Sequence, residues 1–320
     1  MQIVTIDCGY TRPQFAAAYL VHDGKRALFI DNNTTHSVPR LLEALRSAGL
    51  TAEAVVYVII THVHLDHAGG SSALMKACPR ATLLGHPRAV THVVDPSRLV
   101  ASATAVYGKD HFESLYGTIE PVDGSRVRAV QDQEEILFGD SRLKFLFTRG
   151  HANHHICIVL AEPGGEASRI FTGDAFGLAY PALQKSGLFI IASTSPTDFD
   201  ALEAKKSIQA ILATGASEAF LTHYGPIKAL GTAAAELTHF LDFSHDLIEN
   251  ACAENISKRE LPIFFEAALR SHIHALLKKH ELSLSGETAA LLKMDIELNA
   301  QGLAHVTEKQ RTRREQVGTP

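Results

Sequence analysis

Four polar side chains crowd the stretch THVHLDHAGG (residues 61–70): His62, His64, Asp66 and His67, directly after the apolar run AVVYVII. Side chains along an extended strand alternate faces, so His62 and His64 leave the chain on one side. Asp66 and His67 come where the chain must turn ahead of Gly69 and Gly70, and can point at a second centre nearby. The H-x-H-x-D-H spacing therefore has the geometry for two metal ions side by side, which a single-metal H-E-x-x-H helix lacks. Neutral imidazoles with a few carboxylates suit Zn²⁺, and Fe and Mn also accept mixed N/O sites. Three more candidates each follow an apolar run: His151 after LKFLFTRG, Asp174 after RIFTG, and His223 after AFLT. Loops at strand ends, carried by a rigid sheet, are where a metal-dependent site needs its ligands. The competing reading is a polar cleft with no ion in it.

Taken in order, THVHLDHAGG, GHANHH, FTGDAFG and LTHYGP resemble the metal motifs of the metallo-β-lactamase fold superfamily, and the likeness runs from residue 1 to about 230. The resemblance implies an α/β fold, an αββα sandwich of two mixed sheets with helices outside. It also implies a ligand assignment, with His62, His64 and His151 on a first metal, Asp66, His67 and His223 on a second, and Asp174 bridging. Asp31, closing the run FID, matches the family's early aspartate, which braces the metal loops without binding metal. Members hydrolyse lactams, thioesters, lactones, phosphodiesters and sulfate esters, and a few do redox chemistry.

Two metals ~3.5–4 Å apart share a water and lower its pKa from about 16 toward ~7. The expectation is thus a dinuclear hydrolase using a metal-bridging hydroxide on a small carboxylic ester, thioester or lactone, with two divalent ions, zinc first. Asp66 is the candidate for orienting the nucleophile and delivering a proton. Tyr224, beside His223, is a candidate donor to an oxyanion, against a plain packing role in the cleft wall. His154 and His155 could orient ligands, face the substrate or simply pack. The other readings are a phosphodiesterase, a signalling module with incidental hydrolysis, and a di-iron redox protein. The superfamily's diiron flavoproteins typically carry Glu where this chain has His64. No G-x-S-x-G elbow and no Gly-rich phosphate loop after a strand offers a rival chemistry. Cys8, Cys78, Cys157 and Cys252 are scattered and read as reduced thiols.

The elements that must position these residues are legible as patterns. IVTID, FAAAYLV and RALFID read as strands, with Asp23-Gly24 a hairpin turn. SVPRLLEALRSAGL reads as a helix stopped at Gly49, and AVVYVII as a strand covered on both faces. ILFG, LKFLFT, ICIVL and RIFTGD form a second strand series, with a hairpin at Gly139-Asp140. A helix with marked ends lies within 195–216, and EAFLTHYGP holds a last strand. The domain expectation is a catalytic domain over 1–230, a helical extension over 231–306 serving as cap or dimer contact, and a mobile charged tail over 307–320.

Composition bounds the partners. The 320 residues are 46% hydrophobic with a formal net charge of −5, so no basic surface for nucleic acid is expected. No apolar run reaches the ~20 residues needed to cross a bilayer. The start, MQIVTIDCGY, has no basic n-region before an apolar stretch, which reads as a cytoplasmic enzyme. Segments 92–120 and 175–195 mix aromatics, aliphatics and small residues and are the candidate substrate walls, fitted to a small organic molecule.

Overall fold

The computed structural model describes residues 1–164, 168–195 and 198–317. The chain divides into two compact units. The first comprises Met1–Phe147, His154–Gly173 and Ala213–Lys228, and the second Thr148–Asn153, Asp174–Leu212 and the chain from Ala229 onward.

The first unit holds two six-stranded sheets. One contains β1 (Gln2–Asp7), β2 (Ala17–His22), β3 (Ala27–Ile30), β4 (Val55–Ile59), β5 (Thr82–Gly85) and β6 (Val127–Ala129), in that spatial order. Its β1–β2 and β2–β3 pairs are antiparallel and the rest parallel. The other contains β7 (Glu135–Phe138), β8 (Ser141–Phe147), β9 (Ile156–Ala161), β10 (Arg169–Gly173), β11 (Glu218–Leu221) and β12 (Gly225–Ile227), and only β10–β11 is parallel. Both sheets are thus mixed, as the resemblance implies. The Phe138↔Ser141 pairing makes Gly139-Asp140 the expected two-residue hairpin.

Period-two alternation sorts each strand between two cores. Along β2, Ala17, Tyr19 and Val21 join Leu28, Ile59, Leu84, Phe145, Ile158, Phe171 and Phe220 between the sheets. Ala18 and Leu20 join Phe29, Val58 and Leu83 in a core on the opposite side of the first sheet. That side is roofed by α1 (Val38–Ser47), α3 (Ser71–Ala77) and α4 (Pro87–Val94), through Leu41, Leu45, Leu74, Met75 and Val90. Strands buried on both faces read as continuous apolar runs, which is why AVVYVII shows no alternation. The one-turn α2 (Leu65–Ala68) directly precedes α3, and α5 (Ser97–Tyr107) and α6 (Lys109–Tyr116) follow α4.

The second unit is helical: α7 (Ala201–Ala213, apart from its last residue), α8 (Leu230–Ala253), α9 (Leu261–Lys279) and α10 (Gly286–Val317). Asp200 caps α7 by accepting from the Leu202 and Glu203 amides at 3.0 Å. Leu261, Phe265, Leu269, Ile273 and Leu277 form the buried stripe of α9, which packs on α10. That stripe is absorbed inside the unit, while Ile263 of the same helix stays exposed.

Two boundaries differ from expectation. Residues 148–153 and 174–212 group with the C-terminal helices instead of with the sheets. Asn299 of α10 explains part of this: its Oδ1 accepts from Thr194 N at 2.7 Å and its Nδ2 donates to Ala192 O at 3.1 Å. One turn earlier Asp295 accepts from the Tyr180 hydroxyl at 2.9 Å. The segment expected as a mobile tail is helical as far as Val317, where α10 ends, and 318–320 lie outside the described residues. Arg311 donates to Ala251 O and Ile256 O, so a charge read as solvated closes the carbonyl end of α8. No helix among the described residues is long and apolar enough to cross a membrane.

Candidate metal centre

The first unit brings five of the seven candidate ligands to the ends of β4 and β11. Leaving β4, the chain runs through Thr61, His62 and Val63 to His64, whose extended backbone (ψ 148°) opens α2. His62 Nε2 lies 2.8 Å from His64 Nδ1, and the His62 and His67 ring centroids are 4.0 Å apart. Asp66, His67 and His223 each place a ligand atom within 4.8 Å of the other two. Asp66 Oδ2 is 3.4 Å from His223 Nε2 and 3.9 Å from His67 Nε2.

Both imidazoles of that trio are held from behind. His67 Nδ1 donates to Asp31 Oδ2 at 2.8 Å, and His223 Nδ1 donates to the Phe15 carbonyl at 2.8 Å. A partner on Nδ1 fixes the tautomer and turns Nε2 toward the cluster, the arrangement that metal-ligating histidines use. The donor set, two Nε2-presenting histidines and a carboxylate, is one that Zn²⁺ accepts. On this ground the residues of the first unit fit a divalent ion.

Asp31 organises the whole floor. It is 1% exposed, and its carboxylate accepts from Thr61 N at 2.8 Å, Thr61 Oγ1 at 3.0 Å and Thr222 Oγ1 at 3.0 Å, besides His67. One buried charge thereby joins the ends of β3, β4 and β11, which carry the ligand loops. The bracing role that the resemblance gives Asp31 has a concrete form here. Thr61 and Thr222 escaped the sequence reading, although each directly precedes a candidate ligand in a repeated Thr-His dipeptide.

His151 and Asp174 belong to the second unit, where His151 Nε2 and Asp174 Oδ2 are 3.3 Å apart and both side chains are buried. Each follows a glycine that no other residue can replace cheaply. Gly150 has φ +113°, and a Cβ there would meet Ala204 N at 2.1 Å. Gly173 has φ +48°, and a Cβ would meet His155 Nε2 at 2.5 Å and Thr61 Oγ1 at 2.8 Å. These backbone approaches set the direction in which the next residue leaves the strand.

His154 and His155 pack against the His62–His64 pair: His155 is buried with its ring 5.0 Å from that of His62, and His154 is 5.8 Å from His64. Tyr224 is the exception among the candidates. Its side chain packs against the core between the sheets, where burial and the charge of Asp7 push its phenol up. These contacts are those of the packing role weighed for Tyr224 in the cleft wall. Burial also pushes the Cys78 thiol up to about 11 and the Cys8 thiol higher, and all four cysteines are free.

Comparison with known proteins gives the family. The family model described as the metallo-beta-lactamase superfamily matches residues 11–223. A metallo-beta-lactamase fold-containing protein of Sulfurisphaera tokodaii is 26% identical over 168 residues, covering 52% of this chain and 58% of that one. Its solved structure superposes with a TM-score of 0.61 at 21% identity, over 94% of this chain and 97% of the other. A hydroxyacylglutathione hydrolase-like protein of Gallus gallus is 29% identical, covering 48% of this chain and 45% of its own length. An atrochrysone carboxyl ACP thioesterase of Aspergillus fumigatus is 28% identical, covering 52% and 41%. The chain spans about half the length of the curated relatives it matches. With the family pattern met over 11–223 and the mixed sheets in place, the chain belongs to the metallo-β-lactamase superfamily.

Proposed function

We propose that this chain is a dinuclear metal-dependent hydrolase that cleaves a small thioester, with carboxylic esters and lactones as the neighbouring alternatives. The observation that carries the reading is the Asp66–His67–His223 group, with both imidazoles anchored through Nδ1. In this proposal His62, His64 and His151 hold one divalent ion, Asp66, His67 and His223 a second, and Asp174 serves both; zinc suits the donors best. When bound, such ions acidify water and polarise a carbonyl oxygen. The thioester preference is supported by relatives named as an acyl-carrier thioesterase in Aspergillus fumigatus and as hydroxyacylglutathione hydrolase-like in Gallus gallus.

The residues of this chain supply the rest. Asp31 and the Phe15 carbonyl hold the two imidazoles so that no reorganisation is needed during reaction. Asp66, with 27% of its side chain exposed, is the member of its trio open to a substrate. It takes the proton of the attacking water as the carbon–oxygen bond forms and returns it to the sulfur as the carbon–sulfur bond breaks. The proposed partner is a small molecule, not nucleic acid and not a membrane. Helices α8–α10 are proposed as a cap or a dimer contact.

A substrate panel tests the reading. Zinc-loaded protein is expected to show its highest kcat/KM on acyl thioesters, ahead of carboxylic esters and lactones and well ahead of phosphodiesters and β-lactams. A phosphodiester preference would replace the reading with the phosphodiesterase. A visible absorption band with stoichiometric iron would favour the redox one.

A further inference from the structure

An aromatic path leads away from the ligand trio within the first unit. The Phe15 ring meets His223 edge-on at 5.1 Å, Tyr10 lies 5.9 Å from Phe15, and Tyr116 lies 6.1 Å from Tyr10. Tyr116 packs in turn on Phe112 at 5.3 Å and Tyr107 at 5.9 Å. The path closes on itself, because Leu65, the residue beside Asp66, shares a cluster with Phe112 and Tyr116. Leu99, Val100 and Ala103 of α5 border the same cluster and stay half-exposed, and α5 buries none of its described side chains completely. Helix α6 is held in place at its far end, where Thr35 Oγ1 donates to Thr118 O at 2.9 Å.

Two polar features meet this path: the Arg12 guanidinium over the Phe15 ring at 4.3 Å, and a hydroxyl pair. The Tyr10 and Tyr116 hydroxyls are 3.3 Å apart. When two hydroxyls bond to each other, one proton is spent and the other remains to be donated. Burial and the nearby charge of Asp66 push both phenols up, so both keep their protons at neutral pH.

We infer that Tyr10, Tyr107, Phe112 and Tyr116, with the inner face of α5, form the acyl-recognition wall of the site, and that the Tyr10–Tyr116 hydroxyl pair donates to an oxygen carried on an aromatic acyl group. The inference rests on the hydrolase reading and narrows its substrate class. An aromatic acyl group matches the wall because ring–ring contacts favour edge and offset packing at 4.5–7 Å beyond plain burial. An oxygen on that ring satisfies the remaining O–H, which a purely aliphatic acyl chain would leave buried without an acceptor.

The test compares the acetyl, phenylacetyl and 4-hydroxyphenylacetyl thioesters of N-acetylcysteamine on the zinc-loaded full chain. Wild type is expected to prefer phenylacetyl over acetyl, and 4-hydroxyphenylacetyl over phenylacetyl by up to about 10-fold in kcat/KM, the worth of one hydrogen bond. Tyr10→Phe and Tyr116→Phe are expected to bring the second ratio close to one, and Tyr107→Ala to lower the first, with zinc content unchanged in all three. Calorimetric binding of 4-hydroxyphenylacetate against phenylacetate should show the same loss of preference in the two phenylalanine variants. A wild type that favours acetyl, or ratios that survive in all three variants, would overturn the inference. Should wild type cleave no thioester, the hydrolase reading for that class fails. Calorimetry then decides the wall independently, for it if the Tyr10→Phe and Tyr116→Phe variants lose the preference and against it if they keep it.

Discussion

Asp31→Ala is expected to melt about 10 °C below wild type and to bind zinc about 100-fold more weakly. The carboxylate is the common acceptor for Thr61 N, Thr61 Oγ1, His67 Nδ1 and Thr222 Oγ1. Each buried donor left without an acceptor costs about 1–3 kcal/mol, and a partial recovery by water still leaves a loss of about 3–5 kcal/mol in all. At about 2–4 °C per kcal/mol for a domain of 150–250 residues, the melting temperature falls by roughly the stated amount. The metal effect has a separate cause. Without Asp31 the His67 ring loses the partner that turns Nε2 toward Asp66 and His223, and such losses cost ~10–100-fold in affinity or activity. Asp31→Asn should fall between the two, since it keeps the shape but turns an amide NH₂ toward buried donors. Scanning calorimetry with and without zinc reads both effects; a variant that melts within about 2 °C of wild type and keeps its zinc would show that the network is dispensable.

Asp174→Ala carries the second large effect and separates function from stability. Asp174 is 7% exposed and its Oδ2 is 3.3 Å from His151 Nε2. Under the proposed assignment it serves both ions, so its removal should leave at most one equivalent of zinc per chain. Lewis-acid stabilisation is worth several kcal/mol, and each 1.36 kcal/mol is tenfold, so hydrolysis should fall about 10³-fold. Yet the metal-free variant should melt close to metal-free wild type, because removing a buried carboxylate also removes the desolvation that its burial costs and so offsets the lost contact with His151. Asp31→Ala, by contrast, should be destabilised with or without metal. A metal-free Asp174→Ala protein that melts well below wild type would make Asp174 a structural residue like Asp31.

The parts of this protein that were legible from sequence are those written in local pattern. Apolar runs of strand length announced β2, β3, β9 and β10, which are buried on both faces, and β4 and β8, which are half-buried or exposed at some positions such as Tyr57 and Arg142. The candidate ligand motifs stood out because each follows such a run, so a strand end and a polar cluster coincide. Strands β6 and β12 were missed: three residues each, half-exposed and interrupted by Arg128 or Pro226, they carry no periodicity. The division into two units was also hidden. It depends on contacts such as Thr194 with Asn299, more than one hundred positions apart, which no window along the chain contains. The helical form of 307–317 was hidden for a related reason, since Arg314 meets Glu249 at 2.8 Å and Arg311 reaches the Ala251 carbonyl only once the helices are stacked. Tyr116 lies in the candidate wall 92–120, but its pairing with Tyr10 was hidden because the two hydroxyls meet across 106 positions.

Titration of metal-free protein with zinc, following hydrolysis of an acyl thioester at each addition, tests the central claim most directly. The expected result is no turnover in the stripped protein and a rise that reaches its plateau at two equivalents per chain, reversed by chelator. Hydrolysis that persists in metal-free protein, or a folded chain that takes up only trace zinc, would contradict it.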